Sequence, residues 1–152
     1  VEERGAVITI SDVMLFPPAE TRFQPGGEEL LSKVAEMLKQ FDYHIQIEGH
    51  TDSVPISGKF KSNWELSANR ACEVVRILIA EGISPDKLSA EGFAQYRPIG
   101  DNDTEEGRAR NRRVEFVILE QQKVEMIVDD EGEELGAEEA PEGPGEPTAP
   151  TP

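Results

Sequence analysis

The sequence of 152 residues contains 37% hydrophobic residues and has a formal net charge of −16. This composition can form one hydrophobic core of ordinary size, so we expect a single folded domain. Nine acidic residues and no basic ones lie between positions 129 and 152, so more than half of the net charge belongs to the C-terminal tail. The acidic balance argues against a nucleic-acid partner, because phosphate backbones bind clustered Lys and Arg.

The chain has one cysteine, Cys72, which excludes a disulfide within the chain and a metal cluster of the Cys type. No apolar run approaches the roughly 20 residues that a helix needs to span a bilayer. The sequence begins with Val1 rather than Met. We therefore expect it to be part of a longer protein, in which a membrane segment can lie upstream.

The first half of the chain predicts a strand, a helix and a second strand. Residues 7–10 have the composition of a short strand, and the prolines at 17 and 18 cannot continue it in a central position. Apolar residues at helical spacing follow Pro25, with acidic residues in the first turn, where the helix dipole favours them. This stripe consists of Leu30, Leu31, Val34, Ala35 and Leu38. Alternating residues from His44 predict a strand that runs into Gly49-His50-Thr51-Asp52.

The second half begins with a clear helix start, because Ser62 and Glu65 have the spacing of a capping box. The predicted helix ends at Gly82. Its predicted apolar stripe is Trp64, Ala68, Ala71, Val75, Leu78 and Ile79. We expect Trp64 and Cys72 to belong to the core, and we expect Arg70 to point out of the core or towards a cleft.

Three further elements follow. Residues 88–92 alternate as a third strand, Thr104 can cap a short helix that reaches Asn111, and residues 114–118 alternate as the last strand. The order β-α-β-α-β-(α)-β predicts an α/β fold of the α+β sandwich type, with a mixed sheet and the helices packed on one face. We place this domain at residues 1–120. The acidic, Pro- and Gly-rich tail at 121–152 should be disordered, although residues 124–128 can add a turn of helix or a strand.

Charged residues near the predicted strand ends are the candidates for binding. Asp52 follows a strand, Arg70 lies in the second helix, and Arg112 belongs to the dense basic segment Arg108, Arg110, Arg112 and Arg113. One carboxylate that binds an ammonium and two guanidinium groups that bind a carboxylate suit a small zwitterion. Each residue also has an ordinary interpretation: Asp52 as a turn residue, Arg70 as a solvated surface charge, and the basic segment as a salt-bridged helix cap.

Other chemistry has weaker support. Gly49 allows the close approach of a ligand or of another backbone, or forms a tight turn. His50 and Asp52 can form half of a metal site, but no Cys pair supports it, and we expect no metal or cofactor. Glu48 and Asp52 form a possible acid and base pair of a glycosidase. In an extended strand they lie about 13 Å apart, which is too far for either hydrolytic geometry.

At these residues the chain resembles the OmpA-like C-terminal domain family, whose members bind peptidoglycan. The matching pieces are Thr51-Asp52, Leu66-Ser67, Arg70-Ala71, Gly92-Phe93, Pro98, Gly107-Arg108-Ala109 and Asn111-Arg112-Arg113-Val114, in family order over residues 6 to 119. Within the family, the loop with Pro55-Ile56 and the segment Ser62-Asn63-Trp64-Glu65-Leu66-Ser67 are most similar to the MotB group of flagellar stator subunits.

The resemblance implies a non-catalytic domain that holds the diaminopimelate of the peptide stem with Asp52 and Arg70, supported by Arg112. Thr51, Asn63 and Leu66 match positions that line the same groove. It also implies a periplasmic location, a homodimer, and a MotA-like stator subunit as partner through an N-terminal membrane part that is not in this sequence. The alternative within the family is an envelope tether of the OmpA or Pal type without a motor role. A peptidoglycan-processing enzyme that uses Glu48 and Asp52 is the third hypothesis.

Overall fold

The computed structural model of the protein describes residues 2–121, 124–128 and 134–139. Its main elements are β1 (Glu2–Ser11), α1 (Gly27–Leu38), β2 (His44–His50), α2 (Asn63–Ala80), β3 (Leu88–Gly92), α3 (Glu105–Asn111), β4 (Arg113–Gln121), β5 (Val124–Val128) and β6 (Glu134–Glu139). Short 3-10 turns lie at Asp12–Met14 and Pro85–Lys87. The order of elements through β4 is the predicted one.

A four-stranded mixed sheet forms the centre of the domain, with strand order β1-β4-β2-β3. The strand β4 runs antiparallel to both of its neighbours, whereas β2 and β3 are parallel. Parallel neighbours require a crossover connection, and α2 supplies it. The predicted fold class, an α/β arrangement with a mixed sheet, is confirmed.

The hydrophobic core lies between the sheet and the helices α1 and α2. Ile47 of β2 is paired with Phe116 of β4, and both side chains are fully buried. Helix α1 contributes Leu31, Val34, Ala35 and Leu38 to this core. Helix α2 contributes Ala71, Val74 and Leu78. Since alternate strand residues point to opposite faces, Gln46, Glu48 and His50 lie on the other face of β2.

Two glycines let α2 lie against the sheet. A Cβ atom on Gly49 would lie 2.2 Å from the backbone oxygen of Ser67, and one on Gly92 would lie 2.5 Å from the backbone nitrogen of Ala68. At such distances a side chain at either position fits only if the helix and the sheet move apart. Of the alternatives open for Gly49, the structure therefore selects close approach of another backbone, that of α2.

The predicted stripe of α2 was partly wrong. Its buried positions are Asn63, Leu66, Ser67, Arg70, Ala71, Val74 and Leu78. Trp64 is 48% exposed and stacks on the Tyr96 ring at 5.2 Å between centroids, and Cys72 is exposed. The core face of the helix is rotated towards Ser67 because Gly49 and Gly92 bring the sheet against that residue.

The strands β5 and β6 form a separate antiparallel pair. A strand at Val124–Val128 was one of the predicted options, but the disorder predicted for positions 134–139 was wrong, because they form β6. There Leu135 and Ala137 alternate with polar or small residues, a strand pattern that the high Glu content obscures. Residues 129–133 and 140–152 of the predicted tail lie outside the described residues, and the domain boundary at 120 stays a prediction.

Within the described part of the chain, we find no helix with both the length and the apolar character of a membrane span.

Candidate functional site

A cavity of about 400 Å³ lies where the loops after β1 and β2 meet the first turns of α2 and the helix α3. All six residues that the sequence predicted as a binding site line this cavity: Thr51, Asp52, Asn63, Leu66, Arg70 and Arg112. The structure thus brings together side chains that are scattered over the sequence. Their role in binding stays a prediction.

The end of β2 positions Asp52. Just past the strand, the Thr51 backbone N–H donates to the Ala94 carbonyl at 2.9 Å, which joins this loop to the loop after β3. The Asp52 carboxylate then accepts from the Val54 backbone N–H at 3.0 Å through Oδ1. This is the turn role that the sequence left open for Asp52. It leaves Oδ2 to face the arginine on the opposite side of the cavity.

The start of α2 also holds the loop that follows β2. Ser62 caps the helix by accepting from the Trp64 backbone N–H, as the capping-box pattern predicted. Asn63, the first residue of the helix, donates from its amide to the Val54 carbonyl at 3.1 Å and to the Asp52 carbonyl at 3.4 Å. Asn63 therefore holds the loop that carries Asp52. One turn later, Leu66 is buried and adds an apolar surface to the cavity.

Arg112 ends α3 and reaches across the cavity. Its Nη1 donates to Asp52 Oδ2 at 2.7 Å and its Nη2 donates to Glu105 Oε1 at 2.8 Å. Burial disfavours the charged guanidinium, but the hydrogen bonds to Glu105 and Asp52 outweigh this effect and raise the pKa of Arg112. The hydrogen bonds from Arg112 and Arg108 lower the pKa of the exposed Glu105 carboxyl group.

Arg70 is only 4% exposed, so the interpretation as a solvated surface charge is wrong, whereas the predicted cleft-facing position is confirmed. All three guanidinium nitrogen atoms donate hydrogen bonds to the segment after β1. Nε donates to the Glu20 carbonyl at 2.8 Å, Nη2 to the Pro17 carbonyl at 3.0 Å, and Nη1 to Asp12 Oδ2 at 2.8 Å. The guanidinium also stacks over the Phe16 ring. Arg70 therefore organises one wall of the cavity.

Asp12 is the site residue that the sequence analysis missed. It follows β1, is 7% exposed, and lies between Arg70 and the Nε of Arg112, which is 3.9 Å from Asp12 Oδ1. Burial raises the pKa of this carboxyl group, and the two arginines oppose the shift. In the sequence it is a single acid between the apolar residues Ile10 and Leu15, with no local pattern that marks a site.

The basic segment does not act as a unit. Arg108 and Arg112 line the cavity, whereas Arg113 is buried elsewhere, where Nε donates to Glu115 Oε2 at 2.6 Å and Nη2 to the Arg97 carbonyl at 3.0 Å. Arg110 is exposed. The fully buried Asn111 accepts from the backbone N–H groups of residues 99 and 100. The three residues of Asn111-Arg112-Arg113 thus make contacts with different parts of the fold.

The two other chemical hypotheses involve residues that do not share this cavity. Glu48 accepts from the Gln46 amide at 2.7 Å, and His50 Nε2 lies 3.0 Å from Glu48 Oε1, on the sheet face that turns away from α2. Neither Glu48 nor His50 lines the cavity that contains Asp52. Of the residues in these two hypotheses, the structure therefore places only Asp52 in the cavity.

Comparison with known families decides the classification. The model of the OmpA family matches residues 15–112, which is more than half of the chain. The chain belongs to the OmpA family. The matched range contains five of the elements, from α1 through α3, and all six predicted site residues.

The relatives of the chain include motility proteins and a cell wall anchor of another system. Motility protein B of Bacillus subtilis is 37% identical over 118 residues, which cover 76% of this chain and 45% of that protein. The periplasmic domain of Helicobacter pylori MotB is 31% identical, with a TM-score of 0.71, over 77% of this chain and 86% of that domain. The cell wall anchor of the T6SS from Pseudomonas aeruginosa is 36% identical, with a TM-score of 0.70, over 74% of this chain and 79% of that structure. The chain spans about half the length of the curated relatives that it matches.

Proposed function

We propose that this chain binds peptidoglycan and anchors a flagellar motor stator to the cell wall. The observation that carries the proposal is the Arg112 bridge to Asp52 in a cavity that all six predicted site residues line. The similarity to Motility protein B and to the periplasmic domain of MotB supports the motor context. The ligand is the diaminopimelate of the peptide stem.

The charges of the cavity fit a zwitterion. Three acids, Asp12, Asp52 and Glu105, line it together with three arginines, Arg70, Arg108 and Arg112. The side chain of diaminopimelate ends in one ammonium and one carboxylate. Asp52 receives the ammonium and Arg112 receives the carboxylate, while Arg70 shapes the wall through its bonds to the loop after β1. A hydrogen bond with a charged partner contributes about 1.5–3 kcal/mol.

The action is binding rather than catalysis. Binding at one such site is reversible, and a homodimer on a polymeric cell wall gains by multivalency without any new contact. The domain works in the periplasm. A membrane part upstream of this sequence pairs with a MotA-like stator subunit, and no cofactor and no nucleic acid take part.

A second candidate is an envelope tether without a motor role. The similarity to a cell wall anchor of a secretion system favours it, because that protein is named for wall attachment and not for motility. The wall-binding chemistry is the same in both cases. A motility assay separates them: deletion of the gene for a stator anchor stops swimming while the flagella remain, whereas deletion of a tether leaves swimming intact.

Co-sedimentation with purified sacculi tests the binding function. We expect the wild type to pellet with sacculi that contain diaminopimelate, and we expect Asp52→Ala to remain in the supernatant. Asp103→Ala is the matched control, because Asp103 is an exposed acid outside the lining of the cavity. Equal pelleting of the wild type and Asp52→Ala would remove the assignment. Release of soluble muropeptides from the sacculi would instead support an enzyme.

A further inference from the structure

Asp12 has an acceptor that the fold does not use. Its Oδ2 accepts from Arg70, but its Oδ1 has Arg112 Nε at 3.9 Å, which is beyond hydrogen-bond distance. Among the residues that the structure describes, none donates a hydrogen bond to Asp12 Oδ1. Because Asp12 lines the cavity, this oxygen is available to a bound molecule.

Asp12 uses only one of its two carboxylate oxygens in its hydrogen-bonded pair with the buried Arg70. Arg70 also binds the wall of the cavity through the carbonyl groups of Pro17 and Glu20. A buried carboxylate costs free energy, and the pair with Arg70 engages only Oδ2. A buried acid with a second oxygen beside a cavity is typical of a functional site.

The chemistry of an ammonium group calls for a second acid. An ammonium has three N–H donors. Asp52 already accepts from the Val54 backbone N–H through Oδ1 and from Arg112 through Oδ2, so only part of its capacity remains. Asp12 lines the same cavity and is close to the same arginine, which places two acids around one position.

We propose that Asp12 contacts the ligand directly: the ammonium of the diaminopimelate side chain binds between Asp12 Oδ1 and Asp52, and its carboxylate binds Arg112. This inference rests on the proposed function and adds a residue that determines specificity. The two acids select a zwitterion over a dicarboxylate of the same length. A positioning role for Asp12 would give no such selectivity.

Competition with two small molecules tests the inference. Free diaminopimelate and pimelate have the same carbon chain and both carboxylates, but pimelate lacks the ammonium groups. Each competes for the binding of the wild type, Asp12→Asn and Asp103→Asn to sacculi. We expect Asp103→Asn to match the wild type. We expect Asp12→Asn to bind diaminopimelate at least about tenfold more weakly, which corresponds to about 1.4 kcal/mol, with little change for pimelate.

The outcomes separate the two levels of the proposal. A wild type that binds neither sacculi nor diaminopimelate would overturn the proposed function. A wild type that binds, together with an Asp12→Asn variant that loses affinity for both competitors by the same factor, would overturn the contact and leave Asp12 as a positioning residue. An unchanged affinity of Asp12→Asn for diaminopimelate would also overturn it.

A measurement on the wild type keeps the inference testable if Asp12→Asn does not fold. The charged groups around Asp12 are Arg70 from α2, Asp52 from the loop after β2, and Glu105, Arg108 and Arg112 from α3 and its end. Protonation of Asp12 removes its attraction for an ammonium. We expect the affinity of the wild type for diaminopimelate to begin to fall at a pH above the ordinary aspartate pKa of 3.8, because burial raises the pKa of Asp12. An affinity for diaminopimelate that stays constant down to that pH would overturn the inference.

Discussion

Arg112 Nη1 donates to Asp52 Oδ2 at 2.7 Å and so joins two positions that are 60 residues apart in the sequence. This ion pair ties the end of α3 to the loop after β2. The same guanidinium also binds Glu105, so one planar group holds two carboxylates in different directions. A lysine has a single compact charge and cannot reproduce this fork.

Arg112→Lys is therefore expected to weaken binding to sacculi by about tenfold while changing the stability by less than about 1 kcal/mol. The stability effect is small because the Arg112 side chain is 31% exposed and its ion pairs are partly screened by water. Co-sedimentation and urea unfolding measure the two quantities. Arg110→Lys, at an exposed position of α3, should match the wild type in both. Binding of Arg112→Lys at the wild-type level would contradict a role for the fork.

Substitution of Arg70 is expected to affect stability more strongly than substitution of Arg112, because the Arg70 side chain is buried. Arg70→Ala removes the partner of Asp12 and the donor of the Glu20 carbonyl. The Pro17 carbonyl loses one of two donors, because it also accepts from the Glu20 backbone N–H. Removal of one partner of a buried ion pair typically costs about 3–5 kcal/mol. We expect this loss in the free energy of unfolding, measured by urea denaturation.

The matched control for Arg70→Ala is Arg76→Ala in the same helix. Arg76 pairs with Glu73 on the surface, and its side chain is 67% exposed, so the variant should lose less than about 1 kcal/mol. Equal midpoints for the two variants would mean that Arg70 does not hold the wall of the cavity. Loss of binding by Arg70→Ala is not by itself evidence of contact with a ligand.

Gly49→Ala tests how closely α2 lies against the sheet. Its Cβ would meet the Ser67 backbone oxygen at 2.2 Å, and backbone atoms on both sides cannot move independently of the core. We expect a loss of about 3 kcal/mol, which lowers the melting temperature by roughly 10 °C.

The comparison for Gly49→Ala is Gly58→Ala. A Cβ on Gly58 meets nothing within 4 Å, but its φ of +99° is strained for alanine, so we expect a loss of only about 1 kcal/mol. A circular dichroism melt of both variants decides the matter. A melting temperature of Gly49→Ala at or above that of Gly58→Ala would show that the two backbones can separate at little cost.

The sequence predicted the elements well where one local signal dominated. The capping pattern at Ser62 located the start of α2 to the residue, because the cap depends on local chemistry alone. Trp64 was assigned to the core wrongly, because helical periodicity does not reveal which side of the helix the two glycines of the sheet select. Helix orientation is a tertiary property, and the missing information lay in β2 and β3.

The site was predictable to a similar extent. Asp52 and Arg112 could be named from their charge and their place at element ends, and the structure places them in contact. Asp12 could not be recognised, because it follows a strand that the sequence defines only weakly and its partners are 58 residues away or more. A single acid in a loop has no local pattern. Only the fold shows that it is buried between two arginines.

The pH dependence of stability provides a test of the buried acid. The pKa of Asp12 in the folded state is raised above 3.8 by burial, so between 3.8 and the raised pKa the folded state binds more protons than the unfolded state. The contribution of Asp12 to stability is therefore fully present below 3.8 and is lost as the pH rises through the raised pKa. For Glu105 the sign is opposite. Its pKa is lowered, mainly by the hydrogen bond from Arg112, so its contribution is present above 4.5 and is lost as the pH falls through the lowered pKa.

Two isosteric variants separate these contributions. As the pH falls from neutral, the free energy of unfolding of the wild type minus that of Asp12→Asn should increase, with a slope of at most about 1.4 kcal/mol per pH unit. The wild type minus Glu105→Gln should decrease instead. Urea unfolding at several pH values measures both differences. Slopes of the same sign would contradict the assignment of Asp12 as the acid whose ionised form the fold disfavours. Both acids pair with arginines, but Asp12 is buried and Glu105 is exposed, so only burial can give their slopes opposite signs.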